Sequence, residues 1–109
     1  MVIWHNTADA SRIPETVTAG QEVELWLGTY PIEGGQSVTI DMKLTRADGR
    51  EMTASQPARW HSNNEQRNNS YWIAQLGTFE AGDRLEYSIK GRRGDEEVTD
   101  GQLYSFDVG

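Results

Sequence analysis

Apolar and polar residues alternate with a period of two in four separate stretches, and this pattern constrains the fold more than any other feature. One stretch places Val38, Ile40 and Met42 on one side of a strand, and Thr39 and Asp41 on the other. Such alternation is typical of antiparallel sheets that have one buried and one wet face. Over all stretches, the expected core is Val23, Leu25, Val38, Ile40, Met42, Trp72, Leu85, Tyr87, Ile89, Tyr104 and Phe106.

Turn residues separate these stretches, and no helical period is found. Asp48-Gly49 predicts a tight hairpin, and Gly91–Asp95 predicts a turn between two late strands. The segment Asn6–Gly20, which contains Pro14, is expected to be irregular or to enter an edge strand. The pattern therefore predicts an all-β fold, a two-sheet antiparallel β-sandwich of seven to nine strands that forms one domain over residues 1–109.

The charge balance excludes two classes of partner. The chain has 17 acidic and 10 basic residues, a net charge of −7, and no cysteine. Phosphate backbones and anionic lipid surfaces are repelled by such a charge, so we expect neither nucleic acid nor a membrane as partner. The sequence shows no signal peptide and no apolar stretch of membrane length. The sequence does not determine the compartment, which is extracellular if a longer parent protein is secreted.

The stretch Arg59–Trp72 has the composition of a sugar site, because amide side chains lie between aromatics. Sugar rings have an apolar C–H face and a rim of hydroxyls, which flat aromatic rings and amide groups can contact. We predict that this stretch forms a polar loop. Together with Trp26 from an earlier strand, it supplies the candidate ligand-binding residues, which are Trp26, Trp60, His61, Asn63, Asn64, Gln66, Asn69 and Tyr71. In the alternative interpretation the loop is a solvated turn whose asparagines cap their own backbone, and Trp60 and Trp72 are core residues.

Further aromatic residues lie outside this stretch. Trp26 is out of phase with its apolar neighbours, so it should point away from the core, either exposed or covered by a loop. Trp4 and His5 repeat the local pattern of Trp60 and His61, and their rings could line one groove if both segments lie at one end. Each histidine is expected to be a satisfied surface residue.

No catalytic residue, metal ligand or cofactor site is predicted. The chain lacks a nucleophile elbow, a phosphate-binding glycine loop and a His-Glu metal motif. The acidic residues Asp95, Glu96, Glu97 and Asp100 have calcium-binding oxygens but not the spacing of a calcium loop, so we expect a solvated acidic strand.

Three motifs occur in an order that is known from other proteins. They are an N-x-x-Y-W run ending at Trp72, an F-x-x-G-D turn at Phe79–Asp83, and an E-Y-x-I strand ending at Ile89. Together with Pro31–Leu44 and Trp60, they resemble the immunoglobulin-like or carbohydrate-binding sandwich modules attached to α-amylase and α-glucosidase type glycoside hydrolases. The resemblance covers about residues 20–108, and its motifs shape the fold more than a ligand site.

Two functions follow as hypotheses. The resemblance implies a non-catalytic accessory module that binds an α-glucan-like polysaccharide or oligosaccharide, with a neighbouring catalytic domain in the same chain. The alternative is an immunoglobulin-like structural spacer or protein-interaction domain without affinity for sugar, because sandwich folds host both roles.

Overall fold

The computed structural model describes all residues from Met1 to Gly109 and contains ten β-strands and no helix. No segment therefore forms a helix of the length and apolar character needed to span a membrane. The strands are β1 (Val2–Trp4), β2 (Arg12–Ile13), β3 (Val23–Tyr30), β4 (Gln36–Thr45), β5 (Glu51–Pro57), β6 (Arg59–Asn64), β7 (Asn69–Gly77), β8 (Arg84–Arg93), β9 (Glu96–Thr99) and β10 (Tyr104–Asp107).

The strands form two antiparallel sheets that pack as a sandwich, as predicted. The first sheet has the order β1-β3-β7-β6, and β2 also pairs with β3. The second sheet has the order β10-β8-β4-β5, and β9 also pairs with β8. The count of ten exceeds the expected seven to nine, because two edge positions are each filled by two short strands. One of these short strands, β2, is the edge-strand entry expected within Asn6–Gly20.

The core lies between the sheets, and most of the predicted core residues are buried in it. Its members are Ile3, Val17, Val23, Leu25, Leu27, Val38, Ile40, Trp72, Ala74, Leu85, Tyr87, Ile89, Phe106 and Val108. Met42 and Tyr104, which were also expected here, are only half-buried. Met42 lines an open groove at one side of the sandwich, and Tyr104 begins an edge strand.

The two predicted turns are found, one of them shorter than expected. Asp48-Gly49 lies in the turn between β4 and β5, where Gly49 has a φ of 90°. In the later hairpin Gly91 continues strand β8, and only Gly94 and Asp95 form the turn. The ladder continues to the pair Arg93–Glu96, because a two-residue loop suits the twist of a hairpin.

The polar stretch Arg59–Trp72 is not a loop. It forms strands β6 and β7, joined by a turn over residues 65–68. Two of the asparagines stabilise the turn of this hairpin. The Asn64 side chain accepts a hydrogen bond from the backbone N–H of Arg67, and Asn68 adopts a φ of 58°. Asparagine tolerates this left-handed conformation better than most residues do, which explains why an amide-rich run can close a hairpin.

Candidate functional site

The outward side of the first sheet carries a cluster of aromatic residues. Strand pairing puts Trp4, Gly28 and Tyr71 in one row across the sheet, and Trp26 beside Ile73 in the next row. The residues between them along the strands, such as Leu25, Leu27 and Trp72, are buried on the other side. We call Trp4, Trp26, His61, Tyr71 and Ile73 the aromatic face.

Gly28 makes room for the first ring of this face. A Cβ atom on Gly28 would lie 2.1 Å from Cε2 of Trp4, so no other residue fits without moving the ring. The Trp4 indole therefore lies directly against the backbone of strand β3. This contact holds the ring close to Tyr71, which is the next residue in the same row.

Asp9 holds two of the rings from the short loop after strand β1. Its carboxylate accepts hydrogen bonds from Thr7 Oγ1 at 2.6 Å, Tyr71 Oη at 2.6 Å and Trp4 Nε1 at 3.3 Å. The hydrogen bond from Thr7 and, after it, the one from Tyr71 keep the pKa of Asp9 below its usual value. The hydrogen bond to Asp9 in turn raises the pKa of Tyr71. One carboxylate thus links two rings that lie on either side of strand β3.

Trp26 is fixed in the same way on the neighbouring row. Its Nε1 donates to Glu24 Oε2 at 2.9 Å, and Glu24 Oε1 accepts a hydrogen bond from Gln75. The ring contacts His61 edge to face, with centroids 4.7 Å apart. A β-bulge between Trp60 and Ser62 inserts His61 as the extra residue of strand β6, beside this face. Trp26 is therefore outward and half-buried, partly covered by His61 rather than by a loop.

Trp60 lies on the other side of the first sheet. It pairs with the buried Trp72, which points to the core, but β6 is an edge strand and the Trp60 side chain is 56% exposed. Its Nε1 donates to Asn63 Oδ1 at 3.0 Å, and Asn63 Oδ1 also accepts from Ser70 Oγ at 2.7 Å. The structure thus separates Trp60 from Trp26, while Trp72 is a core residue whose Nε1 donates to Thr29.

The predicted site residues fall into three places. The structure brings Trp26, His61 and Tyr71 together on the aromatic face. Asn64 and Asn69 face each other at the end of the β6–β7 hairpin, and Gln66 lies in its turn. Trp60 and Asn63 form a separate pair at the sheet edge. Sequence reasoning left three contributors outside the predicted set, namely Trp4, Asp9 and Ile73.

The two histidines differ, and the expectation for His5 is wrong. His61 is exposed as expected, but His5 is only 5% exposed. Its Nδ1 donates to the Trp26 carbonyl at 2.8 Å, and Nε2 accepts from Tyr87 Oη at 2.8 Å. Because Trp4 points outward, the next residue along the chain points inward. Burial then lowers the pKa of His5.

A cleft of about 520 Å³ adjoins the aromatic face at the edge of strand β6. It is lined by Gln56, Pro57, Arg59, Trp60, His61, Ile73 and Gln75. His61 and Ile73 thus belong both to the cleft and to the aromatic face.

No group of three or more His, Asp or Glu side chains could hold a metal ion. The acidic segment near residue 97 is engaged otherwise, since Glu97 pairs with Arg92 at 2.8 Å and Asp100 accepts from Tyr104.

The arrangement suits recognition rather than bond breaking. The half-buried rings offer flat apolar surface. The amide, guanidinium and imidazole groups of Gln56, Arg59 and His61, which line the adjoining cleft, offer hydrogen bonds. Fold and surface together define a small β-sandwich module with an aromatic outer face.

Comparison with known proteins places such a module inside large enzymes. No established protein-family profile matches the chain. It is 32% identical over 82 residues to an isomaltosyltransferase of Sporosarcina globispora, covering 75% of this chain and 7% of that enzyme. It matches the cycloalternan-forming enzyme of Listeria monocytogenes, solved with a pentasaccharide substrate, with a TM-score of 0.84 and 30% identity. That match covers 99% of this chain and 10% of the enzyme.

A second Listeria monocytogenes structure, solved with α-D-glucose, β-D-glucose, magnesium and calcium, matches with the same TM-score of 0.84. The chain thus spans 7% to 10% of the proteins it matches. The expected resemblance to an accessory module of a glycoside hydrolase is confirmed. The chain corresponds to a small, non-catalytic part of such enzymes.

Proposed function

We propose that this domain is a carbohydrate-binding accessory module that holds an α-glucan chain on its aromatic face. The observation that carries the proposal is the way the rings are held. Trp4 and Tyr71 share the carboxylate of Asp9, and Trp26 is tied to Glu24, while all three rings stay partly open to solvent. Rings that are ordered before a ligand arrives lose little entropy on binding, which favours recognition.

The expected affinity is modest. Covering one side of two tryptophan rings removes about 200 Å² from water, which is worth about 5 kcal/mol at 25 cal/mol per Å². Lost freedom of the sugar and of its hydroxyls offsets much of this gain, so a dissociation constant of roughly 0.1–10 mM is expected for one site. Such an affinity is useful to a module tethered to an enzyme that acts on a polymer, because tethering raises the local concentration.

The charges of the face favour a neutral ligand. Asp9 and Glu24 lie beside the rings, and the whole chain carries a net charge of −7. An acidic polysaccharide would be repelled, whereas a glucan carries no charge. The names of the matched enzymes, an isomaltosyltransferase and a cycloalternan-forming enzyme, support a glucan containing α-linkages and a neighbouring catalytic domain as partner.

The test is a calorimetric titration of the 109-residue chain with maltoheptaose and isomalto-oligosaccharides, and with cellohexaose for comparison. Trp4→Ala and Trp26→Ala should each weaken binding of the α-linked sugars about tenfold, and urea unfolding of each variant shows whether the fold is kept. Leu103→Ala is the control, since Leu103 is 68% exposed and lies off the aromatic face.

Two results would contradict the proposal. One is no heat of binding with any α-linked sugar at 10 mM, about the upper end of the expected range of dissociation constants. The other is binding that neither tryptophan substitution changes.

A second function is favoured by a specific feature on another side of the sandwich. An apolar groove of about 280 Å³ lies between the sheets, lined by Met42, Leu44, Met52, Leu76, Phe79 and Leu85 among others. Because the matched proteins are about ten times longer than this chain, the groove could seat a neighbouring domain, as a structural spacer would require. Hydrogen exchange at β5 amides should then be slower in the longer chain than in the isolated domain, and equal rates would contradict this role.

A further inference from the structure

Trp60 is exposed but not loose. More than half of its side chain is open to solvent, yet its Nε1 donates to Asn63 Oδ1, which in turn accepts from the buried Ser70 hydroxyl. The ring is therefore presented to solvent in one orientation.

Polar groups with free hydrogen-bonding capacity lie beside this ring. Arg59 takes part in none of the salt bridges, so its guanidinium donors are free to meet hydroxyl oxygens. Gln56 and Gln75 line the same cleft, where the Gln56 amide donates to the Gln75 carbonyl. An exposed aromatic ring and an unpaired guanidinium therefore line one cleft.

The cleft is continuous with the aromatic face but turns away from it. His61 and Ile73 belong to both surfaces, whereas Trp60 lies on the other side of edge strand β6. A ligand that covers Trp26 and then reaches Trp60 has to curve around this strand. Chains of α-1,4-linked glucose curve, whereas a β-1,4-linked chain is a straight ribbon.

We propose that Gln56, Arg59 and Trp60 form an edge subsite that takes the continuing glucose units of a chain already held on the aromatic face. This inference rests on the proposed function and adds a ligand property to it, because the edge subsite selects long, curved chains. A short oligosaccharide fills the aromatic face alone. A longer α-glucan fills both surfaces and gains affinity from the second.

The experiment compares two sugar lengths and two substitutions by calorimetry. Trp60→Ala should weaken maltoheptaose binding about tenfold and leave maltotriose binding within about twofold. Trp26→Ala should weaken both sugars. Trp60→Phe keeps a flat ring and should retain most of the maltoheptaose affinity, which separates loss of the ring from loss of the fold. Urea unfolding of each variant checks its stability.

The failures of the two proposals are distinguishable. If Trp60→Ala changes neither sugar, or weakens both equally, the edge subsite is overturned while binding on the aromatic face stands. If cellohexaose binds as well as maltoheptaose and depends equally on Trp60, selection of curved chains is overturned. If the unsubstituted chain binds no sugar, or neither Trp4→Ala nor Trp26→Ala changes its binding, the proposed function itself fails and the subsite with it.

Discussion

The two outer faces of this sandwich obey the same alternation but carry opposite chemistry. The second sheet is polar outside, with Lys90 paired to Asp41 at 3.2 Å and Lys43 to Glu51 at 3.6 Å. The first sheet places Trp4, Trp26 and Tyr71 at equivalent outward positions. Since polar outward residues are sufficient for one sheet, the fold does not require the rings on the other.

The two faces also differ in how their side chains are held. The ion pairs of the second sheet join flexible, exposed side chains, which gain little from a fixed geometry. The rings of the first sheet are fixed by Asp9 and Glu24 and, for Trp4, by contact with Gly28. The comparison indicates that the first sheet bears a prepared surface and the second a solvated one.

The largest effect is expected between the inward and outward positions of a single strand. Ile40→Ala removes a fully buried side chain and should lower the free energy of unfolding by about 2–5 kcal/mol. Thr39→Ala, on the outward side, should change it by less than about 0.5 kcal/mol. Urea unfolding measures both, and similar losses at the two positions would show that the faces are assigned incorrectly.

Gly28→Ala should disturb the aromatic face from beneath. The new Cβ would meet the Trp4 indole, so we expect a loss of about 1–3 kcal/mol in unfolding free energy together with weaker sugar binding. Gly34→Ala is the matched control, because nothing lies within 4 Å of its Cβ position. If the Gly28→Ala domain were as stable as the control, the Trp4 ring would not lie directly against Gly28 as described.

A smaller, pH-dependent loss is expected from the buried histidine beneath the aromatic face. Since the pKa of His5 lies below its ordinary 6.5 in the folded chain, the unfolded chain binds more protons as the pH falls below about 6.5. The contribution of His5 to the free energy of unfolding is therefore full above that pH and is lost as the pH falls below it. The positive charge of Arg12 adds to the lowering of the His5 pKa, and the negative charge of Asp100 opposes it.

Urea midpoints at pH 7.5 and pH 5.5 measure this dependence. In His5→Gln the difference between the two midpoints should shrink, because the titrating group is gone. An unchanged difference would assign the pH dependence to other groups.

The smallest effect is expected on the outer face of the second sheet. Lys90→Ala breaks the pair with Asp41, and since both side chains are about 40% exposed the unfolding free energy should change by less than about 0.5 kcal/mol. Sugar affinity should not change. A marked loss of binding would place the ligand on the second sheet and reverse the comparison between the faces.

Local patterns in the chain predicted much of the fold. The alternation around Ile40 and Ile89 identified inward residues, because a strand's side chains alternate regardless of which strand lies beside it. The Asp48-Gly49 turn was likewise a local property. The Arg59–Trp72 segment was misjudged because its asparagines are typical of loops, and only the pairing of β6 with β7 makes strands of it.

The candidate site was predicted in part for the same reason. Trp26, His61 and Tyr71 were identified by composition and phase, and the structure brings them together. Trp4 was noticed but could not be assigned, because its place depends on β1 pairing with β3 opposite Gly28. The hydrogen bond from Tyr71 to Asp9 joins residues 62 positions apart, and no local pattern in the sequence predicts such a contact.

The sequence by itself therefore determined the fold class and the inward or outward phase of strands β3, β4 and β8, since these follow from side-chain periodicity along one chain. Tertiary structure alone decided which outward rings meet, that His5 is buried, and that Trp60 lies on the opposite side of the first sheet from Trp26. Those outcomes depend on strand order, register and one bulge, which are set by the packing of segments far apart in the chain.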